Sequence, residues 1–98
     1  MKLKNLVNYE EGKVVQKIVS GNNSGAVILM AFDADTTIPT HTAPADAMVM
    51  ILEGELEFTL DGALNLLAEG DFIQMKPGQP HSLSASKRCK MMLIKLNS

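Results

Sequence analysis

Apolar and polar positions in this chain are grouped in short blocks, and a turn signal separates each block from the next. Residues 55–60 alternate strictly between polar and apolar, which is typical of a strand with one face on a core and the other in water. Residues 26–32 are apolar throughout, so we expect a strand that is covered on both faces. No stretch keeps the helical period of about 3.6 residues. The pattern therefore predicts a protein built from β-strands.

The turn signals divide the chain into about nine predicted strands. These strands are residues 13–19, 26–32, 36–41, 47–52, 55–60, 63–67, 71–75, 80–84 and 89–96. Pro39 has no backbone donor, so the strand that contains it is expected at a sheet edge or at a strand end. Asp61 and Gly62 form a strong hairpin signal. Such short connections favour antiparallel pairing, and the strand count is typical of an all-β sandwich or barrel.

The composition is that of one folded domain. The 98 residues are 46% apolar, so we expect a single domain over residues 1–98, with residues 1–12 as an N-terminal arm or edge strand. A net charge of −2 with scattered Lys and Arg argues against a nucleic-acid partner. The apolar runs are far shorter than the ~20 residues of a membrane helix, and no signal-peptide core follows the N-terminus. The single cysteine, Cys89, excludes an intrachain disulfide, and we expect a cytoplasmic protein without a membrane partner.

The two histidines are the most evident chemical groups in the chain. His41 lies shortly before strand 47–52, and His81 follows a Pro-Gly turn at the start of strand 80–84. The sequence contains neither a Gly-x-Ser-x-Gly nucleophile motif nor a Gly-rich phosphate loop before a helix. Candidate chemistry is therefore centred on two imidazoles at the rims of two strands.

The spacing of glycines and histidines resembles the two sequence motifs of the cupin family. In the first motif, counted back from Gly54, a histidine falls at His41. The second histidine and the glutamate of that motif fall at Ala43 and Ala47. The run that begins at His41 is similar to that of a group of small stand-alone cupins without a characterised function.

The second cupin motif is matched more closely. Gly70, Gly78 and His81 are in register, the motif proline is displaced by one position to Pro77, and the closing asparagine falls at Ala85. The resemblance covers residues 13–96. It implies an all-β fold, a single-domain double-stranded β-helix (jelly-roll) barrel of the RmlC-like type.

The resemblance also bears on metal binding. Cupins of the metal-binding type hold a divalent ion with three histidines and one glutamate, and this sequence retains only His41 and His81 of that set. Ala43 and Ala47 cannot ligate a metal. Protein metal sites normally use three or four ligands, so we expect at most a weakly bound divalent metal at His41 and His81.

If the cupin register holds, His41 and His81 point into the mouth of the barrel from neighbouring strands. The small side chains of Ala43 and Ala47 then leave volume beneath them for a mostly apolar pocket with a few polar groups. The predicted pocket residues are His41, Ala43, Ala47, Val49, Gln74 and His81.

For three further side chains, the sequence leaves undecided whether they face the pocket. Asp46 is the carboxylate nearest the absent glutamate, but strand alternation directs it away from the face of Ala47. The orientation of Gln74 depends on the strand register, because a slip of one residue exchanges the two faces. Cys89 is expected to be a buried structural cysteine, although Arg88 and Lys90 beside it would lower the pKa of an accessible thiol.

Three functions follow from these expectations. The first is a small-molecule-binding barrel with its pocket over His41 and His81. The second is a metal-dependent enzyme of the dioxygenase or isomerase type, whose site is completed by Asp46, Gln74, Cys89 or the substrate. The third is a structural or interaction scaffold without a ligand. Cupins commonly form homodimers, and the β-branched edge strand 13–19 predicts a homodimer here as well.

Overall fold

The computed structural model describes residues 1–96 and contains a short 3-10 turn at Leu3–Asn5 followed by nine strands. The strands are β1 (Val14–Asn22), β2 (Gly25–Phe32), β3 (Thr36–His41), β4 (Asp46–Glu53), β5 (Glu55–Leu60), β6 (Ala63–Ala68), β7 (Phe72–Met75), β8 (His81–Ala85) and β9 (Cys89–Leu96). Each corresponds to one predicted strand. The largest difference is at the end of β1, which continues to Asn22 because Gly21 and Asn22 pair with Ala26 and Gly25 in the β1–β2 hairpin.

The strands form two antiparallel sheets that face each other. The larger sheet has the order β1-β2-β9-β4-β7, and the smaller sheet has the order β3-β8-β5-β6. The main core lies between the sheets and includes Phe32 and Val49 from the larger sheet and Leu56 and Phe58 from the smaller. This arrangement confirms the predicted all-β jelly-roll barrel. The Pro39-containing strand β3 lies at the edge of the smaller sheet, as predicted.

Strand β2 is covered on both faces, as its continuous apolar run predicts. Met30 and Phe32 point into the main core between the sheets. Leu29 and Ala31 point to the outer face, where Val7 of the N-terminal segment packs against them. All of these side chains are buried. Residues 1–13 therefore act as an arm that closes part of the outer face of the larger sheet.

Polar contacts fasten this arm to the sheet. The Tyr9 hydroxyl donates a 2.6 Å hydrogen bond to Glu53 Oε2, and Lys90 Nζ donates a 2.7 Å hydrogen bond to the carbonyl oxygen of Lys4. The Arg88 guanidinium and the Lys90 ammonium lie 4.9 and 4.8 Å from the centre of the Tyr9 ring. The hydrogen bond from Tyr9 is the main cause that holds the pKa of Glu53 below its usual range. Within residues 1–96, no helix is long and apolar enough to cross a bilayer.

Candidate ligand-binding site

A cavity of about 430 Å³ lies between the two sheets at one end of the barrel. Its size is within the range of about 300–1,000 Å³ that is usual for small-molecule sites. The larger sheet contributes Met30, Val49 and Met91 to its wall, and the smaller sheet contributes Phe58 and Leu83. The loop between β3 and β4 borders its mouth. The cavity is therefore an apolar chamber that continues the core toward solvent.

His41 and His81 form a pair at this cavity. They are the last residue of β3 and the first residue of β8, and they are direct cross-strand partners after an irregularity in the β3–β8 pairing. Their ring centres are 4.1 Å apart at an interplanar angle of 60°. His81 is only 5% exposed and stacks parallel to Phe58, with ring centres 6.0 Å apart. His41 is exposed to solvent, so one ring of the pair lies at the mouth of the cavity and the other lies in its interior.

Both imidazoles are held by the same kind of hydrogen bond. Nδ1 of His41 lies 3.0 Å from the carbonyl oxygen of Pro39, and Nδ1 of His81 lies 2.9 Å from the carbonyl oxygen of Gln79. A carbonyl oxygen only accepts, so each Nδ1 must carry the proton. In the neutral ring, Nε2 is then an acceptor with a free lone pair. Each ring thus keeps one nitrogen of the kind that accepts a hydrogen bond or ligates a metal ion.

Five of the six predicted pocket residues line this one cavity. His41, Ala43, Ala47, Val49 and His81 all contribute to its surface. The two alanines occupy the positions at which the cupin motif has larger, polar ligands, and they leave open volume beside the histidines.

Gln74, the sixth predicted pocket residue, does not line this cavity. Strand β7 pairs with β4 so that Gln74 lies opposite Met48, on the outer face of the larger sheet. The side chain is exposed, and the next residue, Met75, points inward and lines the cavity instead. The register of one short strand decides which of these two neighbours meets a ligand.

Asp46 and Cys89 also lie outside the cavity wall. Asp46 is half-buried at the start of β4, on the face opposite Ala47, as strand alternation predicts. Cys89 is fully buried in the main core as a free thiol. Burial raises the pKa of Cys89 to about 12, and the nearby Glu53 carboxylate adds to this effect. Neither residue supplies a ligand beside the two histidines.

Two polar residues on strands of the larger sheet also line the cavity and were not predicted from the sequence, Gln16 on β1 and Lys95 on β9. Both occupy inward-facing positions of their strands. In β9 the inward residues Cys89, Met91 and Leu93 are apolar, and the next inward position is Lys95. A charged residue at the inward position of a strand whose other inward residues are apolar could have marked Lys95 as a cavity residue.

The donor set is too small for a metal site built by the protein alone. Within residues 1–96, no three His, Cys, Asp or Glu side chains lie close enough together to hold a metal ion. His41 and His81 provide two nitrogen ligands, whereas protein sites normally provide three or four. The residues present therefore do not fit a complete cupin metal centre.

A family model described as a cupin domain matches residues 28–95. The chain belongs to the cupin family. This cupin is 30% identical to a conserved protein of unknown function from Streptococcus pyogenes, with a TM-score of 0.92 over 100% of this chain and 86% of that one. An RmlC-like cupin from Shewanella frigidimarina NCIMB 400 is 17% identical with a TM-score of 0.85, over 89% of this chain and 78% of that one. At that lower identity the likeness concerns the fold alone.

A further similarity, to an enzyme, covers a smaller part of both proteins. Quercetin 2,3-dioxygenase of Bacillus subtilis (strain 168) is 30% identical over 74 residues, which are 71% of this cupin and 22% of the enzyme. This cupin thus spans about a fifth of the length of that relative.

Proposed function

We propose that this cupin binds a small organic molecule in the cavity over His41 and His81. The observation that carries the proposal is a mostly apolar cavity of about 430 Å³ that contains two paired imidazoles, each held by a backbone carbonyl. Apolar walls with a few oriented polar groups are the usual composition of small-molecule sites. Because each Nδ1 is already engaged, the ligand is expected to donate a hydroxyl or amide hydrogen to Nε2.

Methionine methyl groups report directly on this cavity. Met30, Met75 and Met91 line it, whereas Met48 and Met50 point to the outer face of the larger sheet. Protein labelled with carbon-13 at the methionine methyls is titrated with phenol, which combines a hydroxyl donor with an apolar ring. We expect saturable shifts at the three cavity methyls and constant positions for the two outer ones.

Two variants make the test specific. Ala43→Phe places a large ring in the cavity wall, so it should abolish the shifts. Ala63→Phe adds the same ring at an exposed position of β6, away from the cavity, so it should preserve them. If no cavity methyl shifts saturably at roughly millimolar phenol, a weak but normal fragment affinity, the scaffold function replaces the proposed one.

A metal-dependent enzyme, of the dioxygenase type, is the second candidate. Metal-ligating histidines typically donate their other ring N–H to a carbonyl or carboxylate, as His41 and His81 do here. The similarity to a dioxygenase over part of its length also favours this candidate. Since the chain supplies two ligands, the substrate or water would have to complete the site.

Elemental analysis separates the two candidates. Protein expressed without a tag and purified without chelator is compared with the His41→Ala/His81→Ala double variant. The binding module predicts no stoichiometric transition metal in either protein. Near-stoichiometric metal in the parent protein that is lost in the double variant would favour the enzyme candidate over the binding module.

We also infer a cytoplasmic location for this cupin. Its one cysteine, Cys89, is a buried free thiol, and unpaired cysteines are typical of a reducing compartment.

A further inference from the structure

We propose that the ligand of the cavity is a small apolar acid whose carboxylate binds Lys95. This inference rests on the proposed function, since it specifies the chemical class of the bound molecule. It is carried by the position of one lysine on the inner face of the larger sheet and by the charges of the residues around the cavity.

Lys95 occupies an inward position of β9 at the mouth of the cavity, where it is exposed to solvent. Its cross-strand partners are Ala26 on β2 and Ala47 on β4. Both are small and apolar, so neither neighbour accepts a hydrogen bond from the ammonium group or fills the space beside it. Inward positions of a barrel strand are normally apolar, and the preceding ones in β9 follow that rule. A lysine here has no evident packing role.

The charge of Lys95 is not compensated within the cavity. Among the residues that line the cavity, Lys95 is the only lysine or arginine, and none of them is an aspartate or glutamate. None of residues 1–96 forms an ion pair with it. The cavity is therefore electropositive at its mouth although the whole chain has a net charge of −2.

The remaining groups define the other parts of the ligand. Gln16, on the inner face of β1, adds an amide to the cavity wall in the same row as Met30 and Met91. Met30, Met91 and Leu93 form apolar wall between the mouth and the core. A molecule with a ring or short aliphatic body and one carboxylate matches this order of polar rim and apolar interior.

The test compares two ligands of the same shape, of which one is an anion and the other is neutral. The carbon-13 methyl titration is performed with 4-hydroxybenzoate and with 4-hydroxybenzamide at pH 7, where the first is an anion and the second is neutral. We expect the anion to bind about two- to fivefold more tightly, because an ion pair with an exposed lysine adds only a modest affinity. The difference should shrink in high salt, because screening weakens an exposed ion pair.

Lysine variants assign the effect to one side chain. Lys95→Met should remove the preference for the anion, so that 4-hydroxybenzoate and 4-hydroxybenzamide bind with similar affinity. Lys17→Met is the matched control, because Lys17 is exposed on β1 at a position paired with Leu29 of the outer face. It should keep the full preference. The outer Met48 and Met50 methyls report whether each variant is folded, and Lys95→Gln replaces Lys95→Met if that variant does not fold.

The outcomes distinguish this inference from the function on which it rests. Equal affinity for anion and amide, or a preference that persists in Lys95→Met and Lys95→Gln, would overturn the acid-binding inference while the binding function stands. Absence of binding by phenol, the anion and the amide would refute both. A preference lost only in the Lys95 variants would support the inference.

Discussion

At the scale of single residues, Asp33 links the N-terminal arm to the barrel. Its carboxylate accepts a 2.6 Å hydrogen bond from the Gly12 backbone N–H and a 2.8 Å hydrogen bond from Arg88 Nε. The bond from Gly12, followed by the bond from Arg88, holds the pKa of Asp33 below its ordinary value of 3.8. The charged form of Asp33 is thus favoured in the folded protein.

This shift predicts a dependence of stability on pH. A carboxyl group with a lowered folded-state pKa stabilises the fold above its unfolded pKa, and that contribution is lost as the pH falls through the folded-state pKa. Asp33→Asn should therefore lower the melting temperature at pH 7, and the difference from the parent protein should vanish in acid.

Thermal unfolding followed by circular dichroism from pH 7 downward measures this effect. Asp35→Asn serves as the control, since Asp35 is exposed two residues away and its side chain makes no hydrogen bond to the described part of the chain. A melting-temperature difference for Asp33→Asn that stays constant down to strong acid would contradict the role of the charge.

For the pKa of the Cys89 thiol, burial has a larger effect than the two basic residues beside it in the sequence. Arg88 and Lys90 flank it and would lower the pKa of an exposed thiol. The thiol points into the core, whereas Arg88 and Lys90 point to the outer side, toward Tyr9. Burial therefore raises its pKa to about 12. The sequence interpretation of a structural cysteine is in accord with this environment.

At the scale of the elements, the turn between β4 and β5 depends on one glycine. Gly54 has a φ of +79°, which residues with a side chain rarely adopt. A β-carbon at this position would also lie 2.5 Å from the backbone carbonyl oxygen of Arg88. The glycine of the first cupin motif therefore lets two backbone segments approach closely.

Gly54→Ala should be strongly destabilising. The unfavourable φ costs about 1–2 kcal/mol, and the backbone clash adds to that cost. Gly62→Ala is a matched control, because Gly62 has a φ of +80° in the β5–β6 hairpin and a β-carbon there would meet no atom within 4 Å. Urea unfolding should show a loss of about 1–2 kcal/mol for Gly62→Ala and a larger loss for Gly54→Ala. Equal losses would refute the close approach.

At the scale of the whole molecule, β1 is the most exposed edge. It pairs with β2 on one side only, and seven of its nine residues are exposed, including Ile18 at 67% and Val19 at 43%. An unpaired edge with apolar side chains is a template for pairing with another chain. We propose that β1 forms the contact of a homodimer.

Light scattering after size exclusion at micromolar concentration tests the homodimer. The expected mass is twice that of the 10.6 kDa chain. Ile18→Lys should shift the protein to the monomer, because it places a charge on the proposed edge. Leu64→Lys changes a residue that is 66% exposed on β6, in the other sheet, and should leave the dimer intact. A parent protein with the mass of one chain would refute the proposal.

The strands, the turns and the class of fold could all be predicted from the order of residues alone. Alternation in residues 55–60 and the apolar run in 26–32 are local patterns. The first predicts a strand with one buried face and the second a strand with two, whatever its position in the sheet. The resemblance to the two cupin motifs implied that His41 and His81 lie on neighbouring strands, and the structure pairs them across β3 and β8. Ala47 and Val49 followed because they share one face of a strand.

Which polar side chains reach the cavity depends instead on contacts between distant parts of the chain. The choice between Gln74 and Met75 depended on how β7 pairs with β4, which a local pattern does not contain. Lys95 reaches the cavity because β9 lies between β2 and β4, far from it in sequence. Likewise, burial of Lys90 to 8% exposure depends on Lys4 and Tyr9 at the other end of the chain. The local sequence determines which residues share one face of a strand. The tertiary structure determines which other strands lie beside it, and therefore which of its side chains reach the cavity.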